Sequence, residues 1–172
     1  MSSRLEEPVR AAEAAAADYA PGQERPLRGY MVLAGVFGTA FGGALAGLRA
    51  SGRELPEHFA AADVVMVGVA AHKLSRLIAK DKVTSFLRAP FTRFQEPSGQ
   101  GEVEEEPRGR GVQLAVGELL VCPYCLGLWV ASGFTLGLVA APRPTRLVGT
   151  IFVAHTISDF LQVASRAAGE EL

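Results

Sequence analysis

The sequence predicts an all-α, polytopic membrane protein with about four transmembrane helices and with both termini in the cytoplasm. The first reason is that uncharged runs of membrane-spanning length interrupt the chain. The second is the mean hydropathy of +0.21 over 172 residues, a length that suits one domain. The net charge of -1 provides no broad basic surface, so a nucleic-acid partner is not expected.

Two of the predicted spans are uncharged. Residues 29–48 are 20 consecutive uncharged residues, which at a rise of ~1.5 Å per residue just cross a hydrocarbon core of about 30 Å. Residues 119–142 are 24 more uncharged residues, and we place a span at 117–141. These two segments predict the first and third membrane helices.

The second and fourth predicted spans, residues 59–80 and 146–165, contain ionisable groups. The former contains Asp63, His72, Lys73 and Arg76, and the latter contains His155 and Asp159. Each segment can span a bilayer only if these groups face protein rather than lipid. Soluble core helices are the alternative, but the rest of the chain is too short to build them a core.

The distribution of Lys and Arg predicts the orientation. Residues 73–110 contain eight of them, whereas the two connections on the opposite side contain two each. Basic loops stay in the cytoplasm, so the loop at 81–112 is expected there. The predicted domain is residues 29–166, flanked by a flexible cytoplasmic tail at 1–28 and a short tail at 167–172.

Residues 80–93 alternate basic and apolar side chains, which favours docking on anionic lipid headgroups. An ordinary positively charged flank of a membrane helix is the alternative interpretation. Residues 96–110, rich in Pro, Gly and Glu, are expected to form a mobile solvated loop.

Small residues at a spacing of four occur inside the first span. Gly38 and Gly42 form one such pair, and Gly43 and Gly47 form another. This spacing lets two helix backbones approach closely in lipid. Packing within the chain is the simpler interpretation, and pairing with a second copy of the chain is the alternative.

Polar residues from three predicted helices share one depth near the cytoplasmic side. Arg76 lies roughly one turn inside its span, Asp159 lies about two turns inside, and Cys122 and Cys125 lie within about two turns of Glu118 at the start of the third span. An unpaired charge there is costly, so Arg76 is expected to pair with Asp159 or Glu118. His72 and His155, one turn away on the same helix faces, are weaker candidates. The polar layer is interpreted as structural, with a functional site, such as a small oligomeric channel or transporter, as the alternative.

Cys122 and Cys125 form a Cys-x-x-Cys motif before an apolar helix. Helix packing, thiol redox chemistry and metal binding remain open, since a metal would also need ligands such as His155, His72 or Asp159. A cytoplasmic position predicts reduced thiols at rest. We identify no catalytic motif and expect no cofactor.

A set of short motifs resembles a bacterial domain-of-unknown-function family of small integral membrane proteins, some of which are labelled sporulation proteins. The motifs are Leu-Ser-Arg-Leu-Ile at 74–78, Lys-Asp-Lys-Val-Thr at 80–84, Arg-Ala-Pro-Phe-Thr at 88–92, Glu-Glu-Pro-Arg at 105–108, Gly-Glu-Leu-Leu at 117–120, Cys-Pro-Tyr-Cys-Leu at 122–126, Trp129, and Ser-Asp-Phe-Leu at 158–161. The resemblance extends over residues 59–163 and implies a membrane protein without an established activity. It includes Arg76, Glu118, Asp159 and both cysteines but neither His72 nor His155, which weakens the metal interpretation.

The function expected from these observations is that of a non-enzymatic membrane protein with a structural or accessory role. A membrane-embedded thiol redox or metal-binding protein is the first alternative, and a channel or transporter is the second. The expected partners are the lipid bilayer of the cell membrane and either a second copy or another membrane protein.

Overall fold

The computed structural model describes residue 19 and residues 25–170 of the chain. Most of the expected N-terminal tail and the last two residues lie outside this part. The elements are α1 (Leu27–Ala50), α2 (Ala61–Lys80), a 3-10 turn (Lys82–Thr84), the one-turn helix α3 (Ser85–Arg88), β1 (Thr92–Pro97), β2 (Val103–Pro107), α4 (Gly111–Val121), α5 (Pro123–Ala140) and α6 (Pro142–Glu170). The prediction of a mostly helical protein is confirmed, whereas the all-α class is corrected by a two-stranded sheet.

Helices α1 and α5 run in the same direction. The rings of Phe37 in α1 and Trp129 in α5 pack edge to face, with centroids 5.0 Å apart. Beyond the end of α1, Arg53 Nη1 donates to the carbonyl oxygen of Val139 near the end of α5, at 3.2 Å.

Helices α2 and α6 are also parallel to each other. Asp63 pairs with Arg146 near the start of both helices, and Lys73 pairs with Asp159 farther along both. Because only Ala141 separates α5 from α6, these two helices must turn back on each other. The long helices therefore alternate in direction along the chain.

Helix α2 lies at the centre of the bundle and packs against both α5 and α6. Small side chains make this close contact possible, since Ala70, Ala71 and Ser75 are at most 5% exposed. Two of its charged groups, Asp63 and Lys73, face α6 and are paired there. The requirement that such groups face protein is met at these two positions.

Three helices in the described part of the chain are long and apolar enough to cross a membrane, namely α1, α5 and α6. Helix α2 does not qualify because it is interrupted by charged residues. The predicted first span at 29–48 lies within α1, and the fourth at 146–165 lies within α6. Helix α6 continues to Glu170, so residues 167–170 of the expected C-terminal tail are helical.

The predicted third span at 117–141 is corrected, because the chain breaks at Cys122. This residue has an extended backbone (φ -106, ψ 100) and separates α4 from α5. Pro123 explains the break: its ring disfavours a helical conformation for the residue before it, while its own missing N–H is tolerated in the first turn of a helix. Residues 117–121 therefore belong to α4.

The expected mobile loop at 96–110 is also corrected. Most of it forms an antiparallel β-hairpin, in which Thr92 pairs with Pro107 and Pro97 pairs with Val103. Gly99 and Gly101, with φ of +101 and +83, form the turn in a conformation that favours glycine. We call the hairpin together with the 3-10 turn and α3 the cap.

The packing predicted for the glycines of α1 is wrong. Additional Cβ atoms at Gly38, Gly42, Gly43 and Gly47 would have no neighbour within 4 Å in the described part of the chain. The close approach is instead at Gly29, where a Cβ would lie 2.6 Å from Ala115 Cβ of α4. Pairing of the open glycine face with a second copy of the chain stays a prediction.

Candidate functional site

The most buried charged cluster joins the cap to the end of α2. Arg88 is 0% exposed, and its guanidinium donates two hydrogen bonds to the Glu105 carboxylate, at 2.9 Å from Nε and 3.0 Å from Nη2. Nη1 also donates to the carbonyl oxygen of Ile78 at 2.6 Å, and Nη2 donates to that of Asp81 at 3.0 Å. One arginine therefore ties α3, β2 and the end of α2 together.

Two neighbouring glutamates connect the hairpin to α2 in the same way. The Arg76 guanidinium donates two hydrogen bonds of 2.7 Å to Glu102. Lys80 Nζ donates to Glu104 Oε2 at 2.7 Å. The acidic run that suggested a disordered loop is therefore the surface by which the hairpin binds the basic end of α2.

Hydrogen bonds keep the carboxylates of Glu104 and Glu105 ionised. The hydrogen bond from Lys80, followed by one from Ser98, lowers the pKa of Glu104 below its ordinary value. Burial opposes ionisation of Glu105, but hydrogen bonds from Arg88 and Thr92 outweigh it and lower its pKa. Both glutamates are thus charged partners of the basic residues at neutral pH.

The predicted pairing of Arg76 with Asp159 or Glu118 is wrong, since Arg76 pairs with Glu102. Asp159 is paired with Lys73 and lies 3.4 Å from His155 Nδ1. Counting turns along each helix gave depth but not direction around the helix, so it did not separate these partners.

The Glu118 carboxylate forms a separate pair with α1. It accepts a hydrogen bond from the Tyr30 hydroxyl and lies 3.9 Å from Arg25 Nη1. The expected single polar layer is therefore divided among separate pairs at Arg76, Glu118 and Asp159.

Cys122 and Cys125 are within disulfide-bonding distance, and the structure pairs them in a disulfide. This differs from the reduced thiols expected for a cytoplasmic position. Cys122 is half-buried and precedes α5, and its Sγ accepts the backbone N–H of Cys125 at 3.1 Å. Cys125 is exposed. Cys125 is thus the more exposed residue of the pair, while the Cys122 sulfur lies at a helix N-terminus, which stabilises negative charge.

The two cysteines line a cavity of about 460 Å³ between α1, α4 and α5. Tyr30 and Glu118 line another part of it, together with apolar side chains such as Leu33 and Leu119. The cavity therefore places two sulfur atoms, a carboxylate and a phenol beside one apolar wall. The sequence motif located the cysteines but not Tyr30, because the tyrosine belongs to a distant helix.

The structure does not bring the proposed metal ligands together. His72 is exposed on α2, and His155 contacts Asp159 on its own helix. Among the described residues, no three His, Cys, Asp or Glu side chains are close enough to hold a metal ion.

Comparisons with known proteins agree with the resemblance found in the sequence. Residues 66–165 match the family described as "Protein of unknown function (DUF1360)". The chain is 31% identical over 83 residues to "Sporulation protein YjcA" of Bacillus subtilis (strain 168), an alignment that covers 46% of this chain and 70% of the relative. It is 32% identical over 82 residues to "UPF0713 protein YngL" of the same organism, covering 46% of this chain and 59% of that relative. No solved structure matches the chain.

The matched residues extend from α2 into α6 and include the cap and both cysteines, whereas α1 with Tyr30 precedes them. The family match covers more than half of the chain. The protein therefore belongs to the DUF1360 family of proteins of unknown function.

Proposed function

We propose that the protein is a multi-pass integral membrane protein in which α1, α2, α5 and α6 span the bilayer. The observation that carries this proposal is the inverted polarity of the bundle. Asp63 and Ser75 are at most 8% exposed inside it. Large apolar side chains on the outside are exposed on every long helix: Val36 at 52%, Val65 at 66%, Leu128 at 60% and Ile151 at 58%. Such a surface is costly in water and favourable in lipid.

The cap lies on the cytoplasmic side in this proposal, as do both termini. Its basic residues supply the positive charge that keeps a loop in the cytoplasm. Charged groups hold elements together. Arg88 binds the hairpin, and the pairs of Asp63 with Arg146 and of Lys73 with Asp159 bind α2 to α6. This use of charge supports a structural or accessory role beside a membrane partner.

Single cysteines introduced into a Cys122→Ser/Cys125→Ser background test the membrane topology. Gln100→Cys in the hairpin turn is expected to react with a membrane-impermeant maleimide only in inverted vesicles, and Ser51→Cys after α1 only in intact cells. The protein should also stay in the membrane pellet after alkaline extraction. Labelling of both positions from one side, or release as a soluble monomer, would contradict the proposal.

Thiol–disulfide exchange is the second candidate function, and the paired cysteines beside the cavity favour it. In the proposed step, a thiolate of a partner dithiol protein attacks the exposed Cys125 Sγ. The Cys122–Cys125 bond breaks, and Cys122 leaves as a thiolate that accepts the Cys125 N–H. The second partner thiolate then attacks the partner's sulfur in the mixed disulfide and releases Cys125. Two electrons pass from the partner, which becomes a disulfide, to Cys122 and Cys125, which take up protons as thiols.

Equilibration of the purified protein in glutathione redox buffers tests this exchange. The fraction of free thiols is expected to follow a two-electron titration, and Cys122→Ser should accumulate a mixed disulfide of Cys125 with glutathione, since the resolving thiol is absent. The matched control is Ser132→Cys in the double-serine background. It places a single thiol on α5 and leaves no second thiol in the chain with which to form a disulfide. Thiols that stay reduced at every potential would overturn the exchange and leave the structural role.

A further inference from the structure

The short segment from the 3-10 turn to α3 is inverted in polarity. Thr84 and Arg88, four residues apart, are 9% and 0% exposed and face the cap interior. On the other side of the same turns, Val83 is 73% exposed, Phe86 is 71% exposed and Leu87 is 46% exposed. A segment that buries its arginine and exposes its phenylalanine has an outer surface suited to lipid rather than water.

The hydrogen bonds of this segment fix its depth. Thr84 Oγ1 donates to the carbonyl oxygen of Leu77 at 2.6 Å, and Arg88 Nη1 donates to that of Ile78 at 2.6 Å. Both acceptors belong to the last turn of α2. The segment therefore folds back beside the end of α2, at the level where that helix would leave the membrane.

The charges on the segment are distributed unequally. Lys80, at the end of α2, is bonded to Glu104, and Arg88 is bonded to Glu105 inside the cap, so a glutamate already balances the charge of each. Lys82 is exposed and precedes the apolar residues. Of the basic residues in the cap's helical segment, Lys82 is the one placed to contact a headgroup.

We propose that Lys82, Val83, Phe86 and Leu87, here called the interfacial patch, insert into the headgroup region of the bilayer and prefer anionic lipid. The patch would anchor the cap against the membrane surface. The apolar side chains of the patch move out of water to the boundary of the acyl chains, and Lys82 faces the phosphates. This inference rests on the proposed membrane topology, since the end of α2 must lie at the interface.

A single tryptophan reports the position of the patch. Trp129 is the chain's one tryptophan, so Trp129→Phe gives a dark background, into which Phe86→Trp is introduced. In nanodiscs of phosphatidylcholine and phosphatidylglycerol, its emission is expected to be blue-shifted. Lipids brominated near the headgroup should quench it several-fold more than aqueous iodide does. Gln100→Trp, on the exposed hairpin turn, is the control that iodide should quench more strongly.

The charge contribution is tested separately by adding Lys82→Gln to the Phe86→Trp protein. Quenching by brominated lipid should fall in nanodiscs with phosphatidylglycerol and stay unchanged in pure phosphatidylcholine. Iodide quenching of Phe86→Trp equal to that of Gln100→Trp would overturn the docking. So would a blue shift without lipid quenching, which would indicate a protein partner. Alkaline extraction of the same variants shows independently whether the membrane topology itself holds.

Discussion

Replacement of Arg88 by methionine is expected to destabilise the cap by about 3–5 kcal/mol, because removal of one partner of a buried ion pair leaves the other charge unpaired. The side chain of Glu105 is only 5% exposed and has little access to water that could replace the guanidinium. The carbonyl oxygens of Ile78 and Asp81 lose donors in the same change. Hydrogen–deuterium exchange of the β2 amides in detergent-solubilised protein is the direct measurement, and exchange should rise strongly.

Two further variants make this prediction specific. Arg93→Met removes an exposed arginine from β1 and should leave exchange in β2 nearly unchanged. Arg88→Met combined with Glu105→Leu removes both charges and should recover part of the lost protection, as replacement of a buried pair by apolar residues often does. Equal exchange in Arg88→Met and Arg93→Met would show that the buried pair does not hold the cap.

The sequence predicted α1 and α6 well because their signal is local. A long apolar run is itself the condition for a membrane helix. Residues 29–48 carry no charge, residues 146–165 carry Arg146 and Asp159 alone besides His155, and both ranges lie inside observed helices. The central helix α2 was also placed correctly despite Asp63 and Lys73. The physical argument there was that charged groups within such a helix must face protein, and both residues face α6.

The hairpin was missed because its stability is not local. Residues 96–110 have the composition of a solvated loop. Glu102 and Glu104 gain their partners only by contact with the basic end of α2, and Glu105 gains its partner only by contact with Arg88 of α3. Charge complementarity between residues 76–88 and 102–106 was present in the sequence and is the signal by which the pairing could have been found.

The candidate site was predicted in part. The spacing of Cys122 and Cys125 identified the thiol pair, while the break before α5 was missed although Pro123 was its local signal. The cavity wall from α1 was not predictable, because nothing in the sequence near Tyr30 relates it to Glu118, 88 residues away. Contacts across the bundle depend on the direction of each side chain around its helix.

Replacement of glycine by alanine is expected to have opposite effects on the stability of the protein at two positions of α1. Gly29→Ala is expected to destabilise the bundle by about 1–3 kcal/mol, the usual cost of adding atoms to a packed contact. Its Cβ would lie 2.6 Å from Ala115 Cβ and 2.8 Å from the carbonyl oxygen of Gly111, and backbone cannot move aside as a flexible side chain can. The affected contact is that between α1 and α4, which also forms one wall of the cavity.

Gly35→Ala, six residues further along the same helix, is the matched control. A Cβ there meets nothing within 4 Å, and alanine favours a helix over glycine by up to about 1 kcal/mol. Thermal unfolding of both variants in the same detergent should therefore place the melting temperature of Gly29→Ala below that of the parent protein and that of Gly35→Ala at or above it. If both variants melted alike, the close approach of α1 to α4 at Gly29 would be refuted. A lower melting temperature for Gly35→Ala alone would instead show that the open glycine face of α1 is occupied, by a second copy of the chain or by another helix.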